Sequence, residues 1–216
     1  KKLKIMLHHE ISGNGKKPLV LLHGFMENTT IWEEMEAHLS KDFTLIKIDL
    51  PGHGKSKVYQ EIHTVELMAE KVKEVIDALK LEKINLLGHS LGGYVSLAFA
   101  EKFPEILESM TLFFSTTLAD DDEKKQIRKR SIAVIDENFE TFVKTSIPNL
   151  FSNNEKDILE GKIELAKNIA KSTNKEGVKA AQLGMAERPD RTEILENLDA
   201  KILIIAGKYD NAVKTE

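Results

Sequence analysis

Short apolar runs alternate with segments of helical periodicity along most of the chain. Residues 18–22, 43–50, 84–87, 110–114 and 201–206 are compact apolar stretches closed by turn-forming or small polar residues, and each predicts a strand. Residues 3–11 predict another, ended at Ser12-Gly13-Asn14-Gly15. Between these runs, Val65, Met68, Ala69, Val72, Val75, Ile76 and Leu79 recur at helical intervals, which predicts a helix with one face on a sheet. A helix over 30–39 has Asn28, Thr29 or Thr30 as its cap, and one over 91–103 stops before Pro104. Residues 118–197 offer helical segments and no strand. The pattern predicts an α/β fold, a mostly parallel sheet of five or six strands with helices on both faces. The core is expected in 1–117 and 198–216, with 118–197 as a helical insertion before the last strand.

The segment Gly88-His89-Ser90-Leu91-Gly92-Gly93 joins a predicted strand directly to a predicted helix. A reversal that abrupt forces strained backbone angles on its central residue and brings the flanking positions into contact, so glycine is needed on either side. The turn would lift the Ser90 hydroxyl clear of the sheet at a helix N-terminus, where amides face developing negative charge. His89 adjoins the serine in sequence and is expected to point away from it.

Three further segments carry candidate chemistry. Leu21-Leu22-His23-Gly24-Phe25 ends an early strand, and the amide of Phe25 with that of Leu91 could form an oxyanion hole. The His23 side chain is read as a turn histidine bonded to its loop. Asp49-Leu50-Pro51-Gly52-His53-Gly54-Lys55-Ser56 is read as a structured turn in which Asp49 accepts loop amides. Its Gly-Lys-Ser lacks the first glycine of a phosphate-binding loop, which excludes nucleotide binding on that motif. Residues 202–206 lead into Gly207-Lys208-Tyr209-Asp210, a turn bearing an aspartate after a late strand.

Together and in this order, the four motifs resemble those of the α/β-hydrolase superfamily, over the chain from its start to Asp210. The resemblance implies Ser90 as nucleophile, Asp210 as the acid that orients a histidine, and the Phe25 and Leu91 amides as oxyanion donors. It also implies that 118–197 is a cap over the site. Serine at the elbow argues against haloalkane dehalogenases and epoxide hydrolases, which use aspartate there. Met185-Ala186-Glu187-Arg188-Pro189-Asp190-Arg191 resembles a stretch of esterases and enol-lactonases, which implies a small carboxylic ester or lactone as substrate. Arg188 is read either as meeting an anionic substrate or as a surface salt bridge. A C–C bond hydrolase or lyase of the same fold is the alternative, and a binding pseudoenzyme is the non-catalytic one.

Composition narrows the partners. The 216 residues allow one sizeable core, and the net charge of -4 is mixed along the chain, against nucleic acid or an anionic membrane as partner. The basic run 124–130 follows acidic 120–123 and reads as one solvated helix face. The absence of cysteine excludes disulfides, thiolate zinc sites and a cysteine nucleophile, and suits a cytoplasmic protein. No apolar run suggests a signal peptide or a membrane span. No cofactor or metal is expected; substrate-binding residues and oligomeric state are not readable.

The resemblance also implies a histidine beyond Asp210, after one more strand. The histidines stand at 8, 9, 23, 38, 53, 63 and 89, none after Ser90. Loss of the histidine from such a triad costs on the order of a million-fold in turnover. The chain in hand is therefore expected to be nearly inactive, and a further C-terminal segment carrying the base is expected.

Overall fold

The computed structural model describes residues 6–210 and 213. Six strands form one sheet: β1 (His9–Ser12), β2 (Lys17–Leu22), β3 (Phe43–Ile48), β4 (Ile84–His89), β5 (Leu107–Phe113) and β6 (Lys201–Ile205). Their order is β1-β3-β2-β4-β5-β6. All neighbours are parallel except β1, which runs antiparallel to β3.

Side chains of the central strands alternate between two buried layers, as a sheet covered on both faces requires. Val20 and Leu22 of β2, Ile46 and Ile48 of β3, and Leu86 of β4 enter the larger core with α2 (Val65–Ala78) and α3 (Leu91–Lys102). Leu19, Leu21, Leu45 and Leu87 enter the opposite layer, closed by Trp32 and by Met35 and Leu39 of α1 (Glu33–Leu39). Thr64 caps α2 by accepting the Leu67 amide, which fixes where the predicted helix begins.

Several boundaries differ from expectation for local reasons. The strand predicted over 3–11 starts at His9, and residues 3–5 lie outside the described residues. Before it, the His8 amide donates to Ser56 Oγ and its carbonyl accepts the Asp49 amide, so His8 serves the loop and not the sheet. The same bonds end β3 at Ile48: the Asp49 and Leu50 amides go to the His8 carbonyl and to His23 Nε2. The helix predicted from residue 30 opens as a 3-10 turn, Thr29–Trp32, capped by Asn28.

Between β5 and β6 lie α4 (Asp122–Ser146), a 3-10 turn Ile147–Leu150, α5 (Glu160–Ser172), α6 (Lys175–Glu187) and α7 (Thr192–Asn197). At Asn138 (φ -154°, ψ 89°) α4 breaks into two helices. Ile135, Phe142, Val143, Ile147, Ala170 and Val178 form a second core, which Met26 enters from the turn after β2. Val134, next to buried Ile135, is exposed.

Two charge readings are corrected. Asp121, Asp122, Glu123, Lys129 and Arg130 are exposed, as a solvated face requires, but the Asp120 carboxylate is fully buried between Arg128 Nε at 2.5 Å and Arg188 Nη2 at 2.9 Å. Arg188 is neither a surface salt bridge nor free for an anionic substrate. It is 4% exposed, its guanidinium lies 3.9 Å from the Tyr94 ring centroid, and it donates to the Met185 and Leu118 carbonyls. Arg191 is buried too, pairing with Glu66 of α2 and Glu101 of α3. Among the described residues, no helix is long and apolar enough to cross a membrane.

Candidate active site

Ser90 sits between β4 and α3 with φ 50° and ψ -111°, a left-handed conformation that a non-glycine residue adopts only under constraint. The constraint is visible around it. A Cβ on Gly88 would lie 2.3 Å from the Gly92 carbonyl oxygen, and one on Gly92 would lie 2.3 Å from the Leu22 carbonyl oxygen. The elbow thus closes only with glycine at both positions, and Gly92 seats α3 against the end of β2. The Ser90 amide donates to the Phe113 carbonyl, and its carbonyl accepts the Gly93 amide at 2.9 Å and the Ser115 hydroxyl at 2.9 Å. These bonds leave the half-buried side chain at the carboxyl edge of the sheet.

The Phe25 amide belongs to the planar peptide whose oxygen is that of Gly24, so whatever fixes that oxygen aims the amide. His23 Nδ1 lies 2.7 Å from the Gly24 oxygen, while His23 Nε2 accepts the Leu50 amide at 2.9 Å. That pair of bonds defines one tautomer, with the proton on Nδ1. Burial lowers the His23 pKa and keeps the ring neutral, against the opposing Gly24 bond and Asp49 and Glu27 charges. As the sequence suggests, the His23 side chain serves its loop. Met26, next in the turn, has φ 59° and is buried among the helices of residues 118–197.

His89 is engaged by Glu27, with Nδ1 2.8 Å from Oε2. Burial opposes ionisation of both, yet His89 holds the Glu27 pKa below its ordinary value, and Glu27, with Asp210 behind it, raises that of His89. Glu27 Oε2 also accepts the Gly24 amide at 2.5 Å.

The Asp49 loop is structural. Its carboxylate accepts the Thr29 and Lys55 amides, each at 2.9 Å, and meets His8 Nδ1 at 2.9 Å. Gly54 wraps so closely that a Cβ there would lie 2.3 Å from this carboxylate. His53 and His63 are fully buried, each with Nδ1 on the Pro51 carbonyl.

The turns after β2, β4 and β6 meet at one edge of the sheet, where ligands of open parallel sheets bind. Gly92, beside Leu91, packs against the carbonyls of Leu22 and His23, the latter two residues before Phe25. Asp210 closes the turn after β6: its amide donates to the Gly207 carbonyl, and its carboxylate accepts the Val213 amide at 3.0 Å. Its charge is the least of those that raise the His89 pKa, and Gly207 of the same turn packs on the Phe114 ring. Glu27 and Ser115 were not singled out from sequence. An acid three residues after Gly24 is the one signal that could have pointed to Glu27.

The alpha/beta hydrolase fold family matches residues 17–215. A thermophilic esterase from Thermogutta terrifontis superposes with a TM-score of 0.88 at 35% identity, over 94% of this chain and 75% of its own. A putative 2-succinyl-6-hydroxy-2,4-cyclohexadiene-1-carboxylate synthase of Bacillus subtilis is 30% identical over 91% of this chain and 75% of its own length. An uncharacterized protein of Mycobacterium tuberculosis is 35% identical over 102 residues, 47% of this chain. The match spans only 30% of that mycobacterial protein's length. The chain belongs to the alpha/beta hydrolase fold family.

Proposed function

We propose that the protein is a serine hydrolase acting on a small carboxylic ester or lactone through an acyl-enzyme on Ser90. The observation that carries this reading is Ser90 itself, held at φ 50° on a glycine-flanked elbow beside the locked Gly24–Phe25 peptide. In this reading Ser90 attacks the carbonyl carbon, and the amides of Phe25 and Leu91 receive the oxyanion, each worth about 3 kcal/mol to the transition state. Asp210 orients the base, and water then releases the acid. Residues 118–197 act as the cap: their core takes in Met26, so cap and oxyanion loop form one packed unit.

The base must be a histidine between Ser90 and Asp210, and none among the described residues occupies that place. His89 is bound to Glu27, His23, His53 and His63 are buried in their loops, His8 meets Asp49, His9 turns to the Leu7 carbonyl, and His38 lies in α1. The 216 residues by themselves are therefore expected to turn over almost nothing. A fluorophosphonate should label the product of the complete reading frame at Ser90, Ser90→Ala should abolish the label, and short p-nitrophenyl esters should be cleaved. Equal labelling of Ser90→Ala would overturn the assignment. Neither labelling nor turnover would instead point to a binding protein on this fold.

The synthase relative, which aligns with 91% of the chain, favours a second reading as a C–C bond hydrolase or lyase using the same serine. Release of acid from esters at rates far below cleavage of a carbon–carbon bond in a vinylogous keto acid would select it.

A further inference from the structure

The Glu27–His89 pair spans the two halves of the candidate site. Glu27 lies in the turn after β2, two residues beyond Phe25, and His89 is the last residue of β4, next to Ser90. One carboxylate oxygen, Oε2, takes both His89 Nδ1 at 2.8 Å and the Gly24 amide at 2.5 Å. The turn closes on itself as well, since the Glu27 amide donates to the Gly24 carbonyl at 3.3 Å. Gly24 has no room for a side chain because of this pair: a Cβ there would lie 2.6 Å from Glu27 Oε2 and 2.9 Å from His89 Nδ1. The rings of Phe113 and Phe114 pack on His89, with centroids 5.6 and 6.3 Å away, and limit its freedom.

Both side chains are about a quarter exposed, where an ion pair adds little to stability. What the pair does is mechanical. Met26 holds a left-handed conformation, so the turn that aims the Phe25 amide carries strain and needs an external restraint. His23 fixes the oxygen side of the Gly24–Phe25 peptide, and Glu27 fixes the amide on the other side of Gly24. Through His89 that restraint is referenced to the strand that carries the nucleophile.

Resting on the serine-hydrolase reading above, we propose that Glu27 and His89 are positioning residues that tie the oxyanion loop to the nucleophile elbow. They touch no substrate; they set the distance between the attacking oxygen and the Phe25 donor. Loss of a whole oxyanion donor costs roughly 100- to 1,000-fold in kcat, so loosening one is expected to cost about 10- to 100-fold.

The test compares wild type, E27A, E27Q and H89L, each from the complete reading frame. Readouts are kcat and KM on a p-nitrophenyl ester, inhibition by phenylboronic acid as an oxyanion mimic, fluorophosphonate labelling and melting temperature. E27A should lose about 10- to 100-fold in kcat with KM within threefold, and boronate affinity should fall alongside kcat. E27Q should recover most of that loss, because its amide oxygen still accepts the Gly24 amide. H89L keeps the apolar contact with Phe113 and Phe114 and should show the same split as E27A, which decides the matter should E27A unfold. Labelling of wild type at Ser90 with kcat and boronate affinity of E27A and H89L within threefold of wild type overturns the tether and leaves the hydrolase reading intact. No label at Ser90 in wild type overturns both.

Discussion

Asp120→Asn is expected to be among the most destabilising single polar changes in this protein. The carboxylate is wholly buried and bridges Arg188, itself 4% exposed, to Arg128. Removing its charge leaves the buried Arg188 guanidinium and the partly buried Arg128 guanidinium without their shared counterion, a kind of loss that costs roughly 3 to 5 kcal/mol. The amide oxygen of asparagine still accepts one hydrogen bond, which places the expectation at the lower end, about 3 kcal/mol. For a chain of this size that lowers the melting temperature by roughly 6 to 12 °C. Burial by itself would raise the Asp120 pKa, but hydrogen bonds from Arg128 and Arg188 outweigh it and the folded-state value lies below the ordinary one. A depressed folded pKa means that the stabilisation is complete above the unfolded value near 3.9 and is lost as pH falls through the folded value. The deficit of Asp120→Asn should therefore stay constant from about pH 5 to 8 and shrink below about pH 4. Urea unfolding of the two single variants and of Asp120→Asn with Arg188→Met gives the coupling energy. The double variant should be more stable than the sum of the singles by about 1 to 3 kcal/mol. A loss under about 1 kcal/mol, or strict additivity, would refute the view that this cluster is a tightly coupled buried unit.

Three further outcomes follow from single features. Burial, then the neighbouring His23, pushes the His53 pKa down to about 3, so the unfolded chain takes up a proton below about pH 6.5 that the folded chain refuses. Stability should fall by up to about 1.4 kcal/mol per pH unit on this account, roughly 2 kcal/mol by pH 5, and His53→Gln should flatten that slope in urea titrations. Gly92→Ala puts a methyl 2.3 Å from the Leu22 carbonyl and should cost about 3 kcal/mol while abolishing fluorophosphonate labelling of the complete product; a stable, fully labelled variant would contradict the packing argument. Among the described residues β6 is an outer strand whose Leu203 and Ile204 are more than half exposed. The 216-residue polypeptide expressed by itself should self-associate in light scattering, and Leu203→Lys with Ile204→Lys should reduce this; unchanged particle size would argue against the strand as the sticky surface.

How much of this was readable from sequence depends on the range of the interaction involved. Strand–helix alternation is written locally, so the sheet, the helix beginning at Val65 and the all-helical stretch between β5 and β6 follow from apolar spacing. Boundaries set by distant partners do not: β3 stops at Ile48 because His8 and His23 take the next amides, one from before β1 and one from after β2. The elbow was readable because Gly88 answers a steric demand within five residues, although Gly92 answers one from the end of β2, and the Asp49 loop because its carboxylate bonds nearby amides as well as distant ones.

Charge was the least readable property, because a charged side chain looks solvated until its partner is known. Arg188 and Asp120 lie 68 positions apart in the chain and Arg188 leans on Tyr94 from a third element, so neither burial nor neutralisation shows in the local pattern. His89 and Glu27 are a milder case. The expectation that His89 turns from Ser90 follows from alternation along a strand, but its destination depends on the turn after β2 coming to rest against the end of β4. Parallel pairing of those two strands, Leu22 opposite Gly88, brings that about. The same register that exposes Ser90 therefore delivers an acid to the residue beside it, and the oxyanion loop inherits its restraint from the sheet rather than from its own sequence.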